Sequence, residues 1–170
     1  MDATGRRLTN YNCYLGFYDF TRIQGVPLGT VSKILGFSSI THVGPIIETP
    51  KGNLAITICS ARYENGRYLQ CAKLHKEEVL QRSGVTLVAK IPVGVHALDL
   101  GEVMNKAEQY TDVNAWDVLF HALVGRWIGL TRPRMCTTHA CELFNMKDEW
   151  HPAALYRRLM NDYAADSRTS

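Results

Sequence analysis

The feature that most constrains the fold of this chain is a change of hydrophobic period near Asp99. Before that residue, short apolar runs alternate with turns that contain glycine or proline, a pattern typical of antiparallel strands. After it, apolar residues recur at helical spacing, as in Leu100, Val103, Met104 and Ala107. Strands that are followed by helices, instead of alternating with them, predict an α+β fold in which helices pack on an antiparallel sheet.

The strand-rich half is predicted to contain a hairpin and further strands. The hairpin covers residues 41–59, and its turn at 49–52 contains both proline and glycine. Two more strands are expected at 67–74 and 85–93. The aromatic-rich segment 11–20 fits either an edge strand or a segment that docks a partner.

The expected helices are marked by their end signals. Asp99 with Glu102 makes a capping-box-like start, and Pro152 stands where a first-turn proline belongs. The other expected helices are 25–36, a short one that ends at Gly84, 115–124 and 136–146. Because no repeat, low-complexity tract or linker interrupts the chain, one domain is expected over residues 1–163, followed by a flexible tail at 164–170.

Length and composition exclude several classes of protein. The chain has 170 residues, of which 46% are hydrophobic and 21% charged, as in a packed globular protein. The net charge of +3 is too mild to suggest a nucleic-acid partner. No stretch approaches the roughly 20 apolar residues of a membrane helix. No hydrophobic segment of a signal peptide follows the first charged residues, so we expect no secretion signal.

Cysteine usage indicates reduced thiols. The odd number of cysteines, without the spacing of a disulfide framework, favours a reducing compartment. The five are Cys13, Cys59, Cys71, Cys136 and Cys141.

Two residues could carry catalytic chemistry, Cys136 and His42. Cys136 begins a predicted helix after the basic segment Arg132-Pro133-Arg134, and both the helix dipole and the nearby cations favour a thiolate. His42 begins the first hairpin strand beside small residues. An imidazole that approaches the thiol would make an activated nucleophile with a general base. The alternative interpretation is that Cys136 is a small buried hydrophobe, as most free cysteines are.

The helical wheel favours Cys136 over the other late cysteine. Cys136 falls on the same arc as Ala140, Leu143 and Phe144, which predicts a side chain that points toward the sheet. Cys141 lies about 140° around the helix from Cys136 at 100° per residue, off the centre of that stripe. We therefore predict that Cys136 is the nucleophile.

Hairpin register suggests a third member of the site. If Glu48 pairs with Asn53 across the turn, His42 faces Cys59 and Thr57 lies diagonally adjacent on the same sheet face. Either Thr57 or Cys59 could hold a polar contact to the imidazole. Neither is a carboxylate or an amide, the usual groups that orient a catalytic histidine.

Three short motifs in this order resemble the circularly permuted papain-like proteins, which include the NlpC-related YiiX-like group and the lecithin:retinol acyltransferase-like group, with phage-encoded members among them. The motifs are Thr41-His42-Val43-Gly44, Cys136-Thr137-Thr138, and Trp150-His151-Pro152-Ala153-Ala154-Leu155-Tyr156. In that family the catalytic His precedes the Cys, which begins the helix that packs on the sheet. The resemblance implies a permuted papain-like fold and a thiol hydrolase without a cofactor.

The substrate and the setting are also implied by this resemblance. The YiiX-like group implies a peptidase or amidase, with a peptide of cell-wall peptidoglycan as one substrate, whereas the acyltransferase-like group implies an acyl chain. The rival hypothesis is a non-catalytic papain-like scaffold, such as a structural or binding component of a phage virion or tail that contacts other virion proteins. The expected location is the cytoplasm or a virion.

A zinc site at Cys136, His139 and Cys141 is disfavoured. Residues at i, i+3 and i+5 of one helix do not converge on a point, and the chain has no second pair of closely spaced cysteines. We expect no metal and no cofactor.

Overall fold

In this computed structural model, the described residues are 8–20, 33, 38–65, 67–109 and 135–166, with isolated positions at 117, 120, 121, 124 and 128. The strands are β1 (Thr9–Asp19), β2 (His42–Thr49), β3 (Gly52–Glu64), β4 (Arg67–Lys76) and β5 (Thr86–Leu98). The helices are α1 (Glu77–Arg82), α2 (Leu100–Glu108), α3 (Cys136–Leu143) and α4 (Pro152–Asp166). The expected helices at 25–36 and 115–124 lie outside the described residues except for isolated positions.

The five strands form one antiparallel sheet in the order β4-β3-β2-β1-β5. The predicted α+β class is confirmed. The expectation that segment 11–20 is an edge strand is wrong, because β1 pairs with β2 on one side and β5 on the other. A central position suits its sequence, since Leu15, Phe17 and Tyr18 are fully buried and point to both faces of the sheet.

The predicted hairpin register is confirmed, because Glu48 pairs with Asn53. The turn is closed by Thr49, whose hydroxyl donates to the Gly52 carbonyl oxygen at 2.6 Å. Gly52 has a φ of +105°, a conformation that favours glycine. The described ladder between β2 and β3 ends at Ile46 and Ala55, so the predicted facing of His42 and Cys59 lies beyond its paired part.

Each face of the sheet carries its own hydrophobic cluster. The main cluster lies between one face and the helices α2, α3 and α4, and it includes Phe17, Val43, Ile56, Ala140 and Leu155. The small cluster lies on the other face, where α1 contributes Leu80; its remaining members are Tyr18, Phe20, Ile46, Ala55 and Val85. None of the helices in the described ranges is long and apolar enough to cross a membrane.

The helix ends follow the sequence signals. The Asp99 carboxylate accepts from the backbone N–H groups of Gly101 at 2.8 Å and Glu102 at 3.3 Å, which caps α2. Pro152 is the first residue of α4, and the His151 ring Nδ1 accepts from the Ala153 N–H at 3.1 Å. Helix α4 extends to Asp166 and so includes the first residues of the expected tail. Residues 167–170 lie outside the described ranges.

Candidate active site

Pairing at the end of the sheet fixes the position of His42. His42 is the first residue of β2 and lies directly opposite Tyr18 of β1. The preceding residue, Thr41, ties the two strand ends together. Its N–H donates to the Tyr18 carbonyl oxygen at 2.9 Å, and its hydroxyl accepts from the Phe20 N–H at 2.9 Å. These two hydrogen bonds therefore hold the start of β2, which carries His42, against the end of β1.

Aromatic rings enclose the His42 side chain, which is 6% exposed. The Phe20 ring meets the imidazole edge-on at 4.6 Å between centroids, and the Tyr18 ring lies 6.2 Å away. Nε2 of His42 is buried without a hydrogen-bond partner among the described residues. Burial and, to a smaller extent, the charge of His139 lower the pKa of His42 to about 3. The ring is therefore neutral at pH 7.

Cys136 is the first residue of α3 and follows Met135, whose backbone is extended. The side chain of Cys136 is half-buried and packs against the main cluster. The stripe predicted from the helical wheel faces the sheet, since Ala140 and Phe144 are buried in the same cluster. Cys141, predicted to lie off the centre of that stripe, is also fully buried there.

The structure brings α3 and β2 together, because α3 packs mainly against β2. The two candidate side chains nevertheless enter different clusters. Along β2, Val43 and Ile47 face the main cluster that Cys136 joins, whereas His42 and Ile46 lie on the other face. The thiol and the imidazole thus lie on neighbouring elements and enter different clusters.

His139 is a buried polar residue that the sequence analysis considered only as a zinc ligand. It lies one turn after Cys136 on α3 and is 2% exposed. Burial lowers the pKa of His139 to about 4, although the nearby Glu142 acts in the opposite direction. Its charge also lowers the pKa of His42, the first residue of β2. The sequence signal that could have identified His139 is its position three residues after Cys136, which puts both residues on the same side of one helix.

The two predicted orienting residues lie on β3. Thr57 is 1% exposed. It lies two residues after Ala55 on β3, so its side chain points to the same face of the sheet, where Ala55 belongs to the small cluster near His42. No described hydrogen bond joins Thr57 to His42. The backbone of Cys59 pairs with Cys71 of β4, and the side chain of Cys59 lies outside the described part of the structure.

Tyr18 is a polar neighbour of His42 that the sequence analysis missed. Its side chain is fully buried, and its hydroxyl has no hydrogen-bond partner in the described part of the chain. Burial raises the pKa of Tyr18, and the charge of Glu77 adds to this effect. Only the pairing of β1 with β2 reveals that Tyr18 faces His42, because the two residues are distant in sequence.

The chain was compared with protein-family models, with curated proteins and with solved structures. None of them matches. The papain-like resemblance therefore depends on the three sequence motifs, and the α+β architecture does not by itself identify a family. Among the described residues, no group of three His, Cys, Asp or Glu side chains is arranged to hold a metal ion.

Proposed function

We propose that this protein is a cysteine hydrolase of permuted papain-like fold, with Cys136 as the nucleophile and His42 as the general base. The observation that supports it best is the packing of α3, which begins at Cys136, against β2, which begins at His42. The electrostatic effect of His139 on His42 supports the same proximity. A nucleophile and a base on neighbouring elements are the minimum for acyl transfer.

The reaction would proceed in two balanced steps. The Cys136 sulfur attacks the carbonyl carbon and forms an S–C bond, while its proton passes to His42. The C–N or C–O bond of the substrate then breaks, and His42 returns the proton to the leaving amine or alcohol. Water hydrolyses the thioester with His42 as base, which releases the acid and restores the thiol. The backbone N–H of Cys136 is the proposed donor to the oxyanion.

The low pKa of His42 defines the resting state. A neutral imidazole can accept a proton, but it does not hold a permanent imidazolium beside a thiolate. We therefore propose general-base activation of Cys136 during attack. Thr57 or Cys59 would steady the ring from β3. The substrate class that we propose is a peptide, including peptidoglycan peptides, with an acyl ester as the alternative.

Alkylation of the thiols by iodoacetamide tests this function. Reaction is followed from pH 5 to 9 by peptide mass mapping, with half-buried Cys71 as a reference thiol in the same chain. We expect Cys136 to react faster than Cys71 below pH 8, and His42→Gln to slow Cys136 about tenfold. His75→Gln, which replaces a partly exposed histidine of β4, is the matched control and should leave the rate unchanged.

A second candidate function is a non-catalytic scaffold, such as a virion or tail component. The observation that favours it is the enclosure of His42 by Phe20 and Tyr18 in one cluster while Cys136 packs in the other. Alkylation of Cys136 no faster than that of Cys71, and insensitive to His42→Gln, would contradict the hydrolase and favour the scaffold.

A further inference from the structure

Two buried polar atoms on neighbouring strands have no hydrogen-bond partner among the described residues. They are the Tyr18 hydroxyl and His42 Nε2, which belong to residues directly opposite each other in β1 and β2. Both side chains are more than nine-tenths buried. A buried donor or acceptor that loses its hydration without a new partner costs free energy, so two such atoms side by side indicate a common partner.

A pair of glycines on the same two strands helps to locate the Tyr18 hydroxyl and His42 Nε2. Gly16 and Gly44 are the register pair on the same sheet face, two residues along from Tyr18 and His42. A Cβ built on Gly16 would lie 2.5 Å from the Tyr18 hydroxyl oxygen. A Cβ built on Gly44 would lie 3.9 Å from His42 Nε2. Opposite Cβ positions are about 4.5–5.5 Å apart, so the hydroxyl and the ring nitrogen lie beside two neighbouring glycines of this pair.

A third polar atom lies at the same place. A Cβ on Gly44 would overlap the carbonyl oxygen of Ile56, which therefore approaches the pair from β3. The three atoms offer a donor and acceptor hydroxyl, a ring nitrogen and an acceptor carbonyl. A buried water needs two to four such partners, so this set matches one water molecule in number and in chemistry.

We propose that Tyr18 is the positioning residue of His42, and that its hydroxyl acts through one water bound over the Gly16–Gly44 pair. The water accepts from Nε2–H of His42 and from the Tyr18 hydroxyl, and it donates to the Ile56 carbonyl oxygen. This holds the imidazole in the Nε2–H tautomer and leaves Nδ1 to receive the Cys136 proton, which is the role of the third residue in a catalytic triad. The catalytic consequence rests on the proposed function.

The contrast with Tyr14 supplies a matched control. Tyr14 lies on the same strand and the same face, and its hydroxyl donates to the Glu48 carboxylate at 3.1 Å. Tyr14→Phe therefore removes a hydroxyl that has another partner, whereas Tyr18→Phe removes the one opposite His42. Thr57→Val tests the orienting residue expected from the sequence with a change of similar size.

The first measurement is ¹⁵N NMR of the histidine rings in the full chain, since ring nitrogen shifts distinguish the tautomers. We expect His42 of the wild type to hold its proton on Nε2, and Tyr18→Phe to give a mixture of tautomers. Tyr14→Phe should retain the wild-type shifts. A wild-type ring protonated on Nδ1 would overturn the proposal without any variant. So would unchanged shifts in Tyr18→Phe, or changed shifts only in Thr57→Val.

The second measurement separates this inference from the proposed function. In the hydrolase, Tyr18→Phe should slow the alkylation of Cys136 about tenfold across the pH profile, whereas Tyr14→Phe should not. If His42→Gln does not affect Cys136, the hydrolase is wrong, yet the tautomer measurement still decides whether Tyr18 positions His42. If His42→Gln slows Cys136 and Tyr18→Phe does not, the hydrolase stands and the role of Tyr18 is wrong.

Discussion

The two faces of the sheet bury different kinds of side chain. On the face of the main cluster, the buried strand residues are apolar, among them Leu15, Phe17, Val43 and Ile56. On the other face, a smaller cluster surrounds His42, and the hydroxyl of Tyr18 is buried as well. Burial of an apolar side chain stabilises a fold by itself. Burial of a polar atom costs free energy unless the atom has a hydrogen-bond partner.

The buried polar groups on the face of the small cluster also differ in whether they have a hydrogen-bond partner. The Glu77 carboxylate is buried and accepts from the Lys90 ammonium at 3.1 Å and from the Asn53 amide at 2.7 Å. The Tyr18 hydroxyl and His42 Nε2, on the same face, have no such direct partner in the described part of the chain. A buried charge on this face is thus paired directly, and the two unpaired atoms are the exception that we propose to explain by a bound water.

The largest expected effect on stability comes from replacing a buried leucine by alanine, and making this substitution once in each cluster compares the two. Leu155→Ala in the main cluster and Leu80→Ala in the small cluster each remove a buried leucine. We expect the free energy of unfolding to fall by about 4 kcal/mol for Leu155→Ala and about 2.5 kcal/mol for Leu80→Ala, because the smaller cluster relaxes more easily. Urea unfolding measures both, and a larger loss for Leu80→Ala would contradict the ranking.

The next effect tests the close approach at Gly44. A methyl group there would overlap the Ile56 carbonyl oxygen, and backbone cannot move aside as a flexible side chain can. We expect Gly44→Ala to lower the free energy of unfolding by about 3 kcal/mol. Gly101→Ala is the control, since its methyl group meets only the Asp99 carboxylate, and it should stay within about 1 kcal/mol of the wild type in urea unfolding. Equal effects of the two substitutions would refute the close approach.

Acid should destabilise the protein through its buried histidines. The pKa values of His42 and His139 in the folded chain, about 3 and about 4, lie below the value of about 6.5 in an unfolded chain. Below pH 6.5 the unfolded state therefore binds protons that the folded state does not, and stability falls as the pH decreases toward 4. The contribution is fully present above pH 6.5. Each histidine adds a slope of up to about 1.4 kcal/mol per pH unit.

Urea unfolding at pH 7, 6 and 5 measures that slope. His42→Gln should make the loss of stability between pH 6.5 and pH 5 smaller by about 2 kcal/mol. His75→Gln, on the edge strand β4 and partly exposed, should retain most of the wild-type slope. Parallel profiles for the wild type and His42→Gln would show that His42 is not held neutral by the fold.

The smallest effect concerns the start of α2, far from the small cluster. Asp99→Ala removes the acceptor of two backbone N–H groups and should cost about 1 kcal/mol, whereas Asp99→Asn should cost less. Neither substitution should change the alkylation of Cys136. A changed rate would mean that the site depends on general stability instead of on the His42 face.

Local features were predictable from sequence because each depends on residues that are close together. The turn at Thr49–Gly52 determined the register of Glu48 with Asn53, and Asp99 and Pro152 marked helix starts. The place of β1 in the centre of the sheet was not predictable, because its pairing with β5 joins residues 67 to 89 positions apart. The pairing of β1 with β2, also between residues distant in sequence, puts Tyr18 opposite His42.

The most direct test of the central claim, that Cys136 and His42 form one site, is a short bifunctional alkylating reagent such as 1,3-dibromoacetone. The thiol reacts first, and the second arm then reaches a nucleophile within a few ångströms. Peptide mass mapping of the wild type should find Cys136 joined to His42 through a three-carbon bridge. A bridge from Cys136 to His139, or a Cys136 adduct that joins no second residue, would contradict the claim.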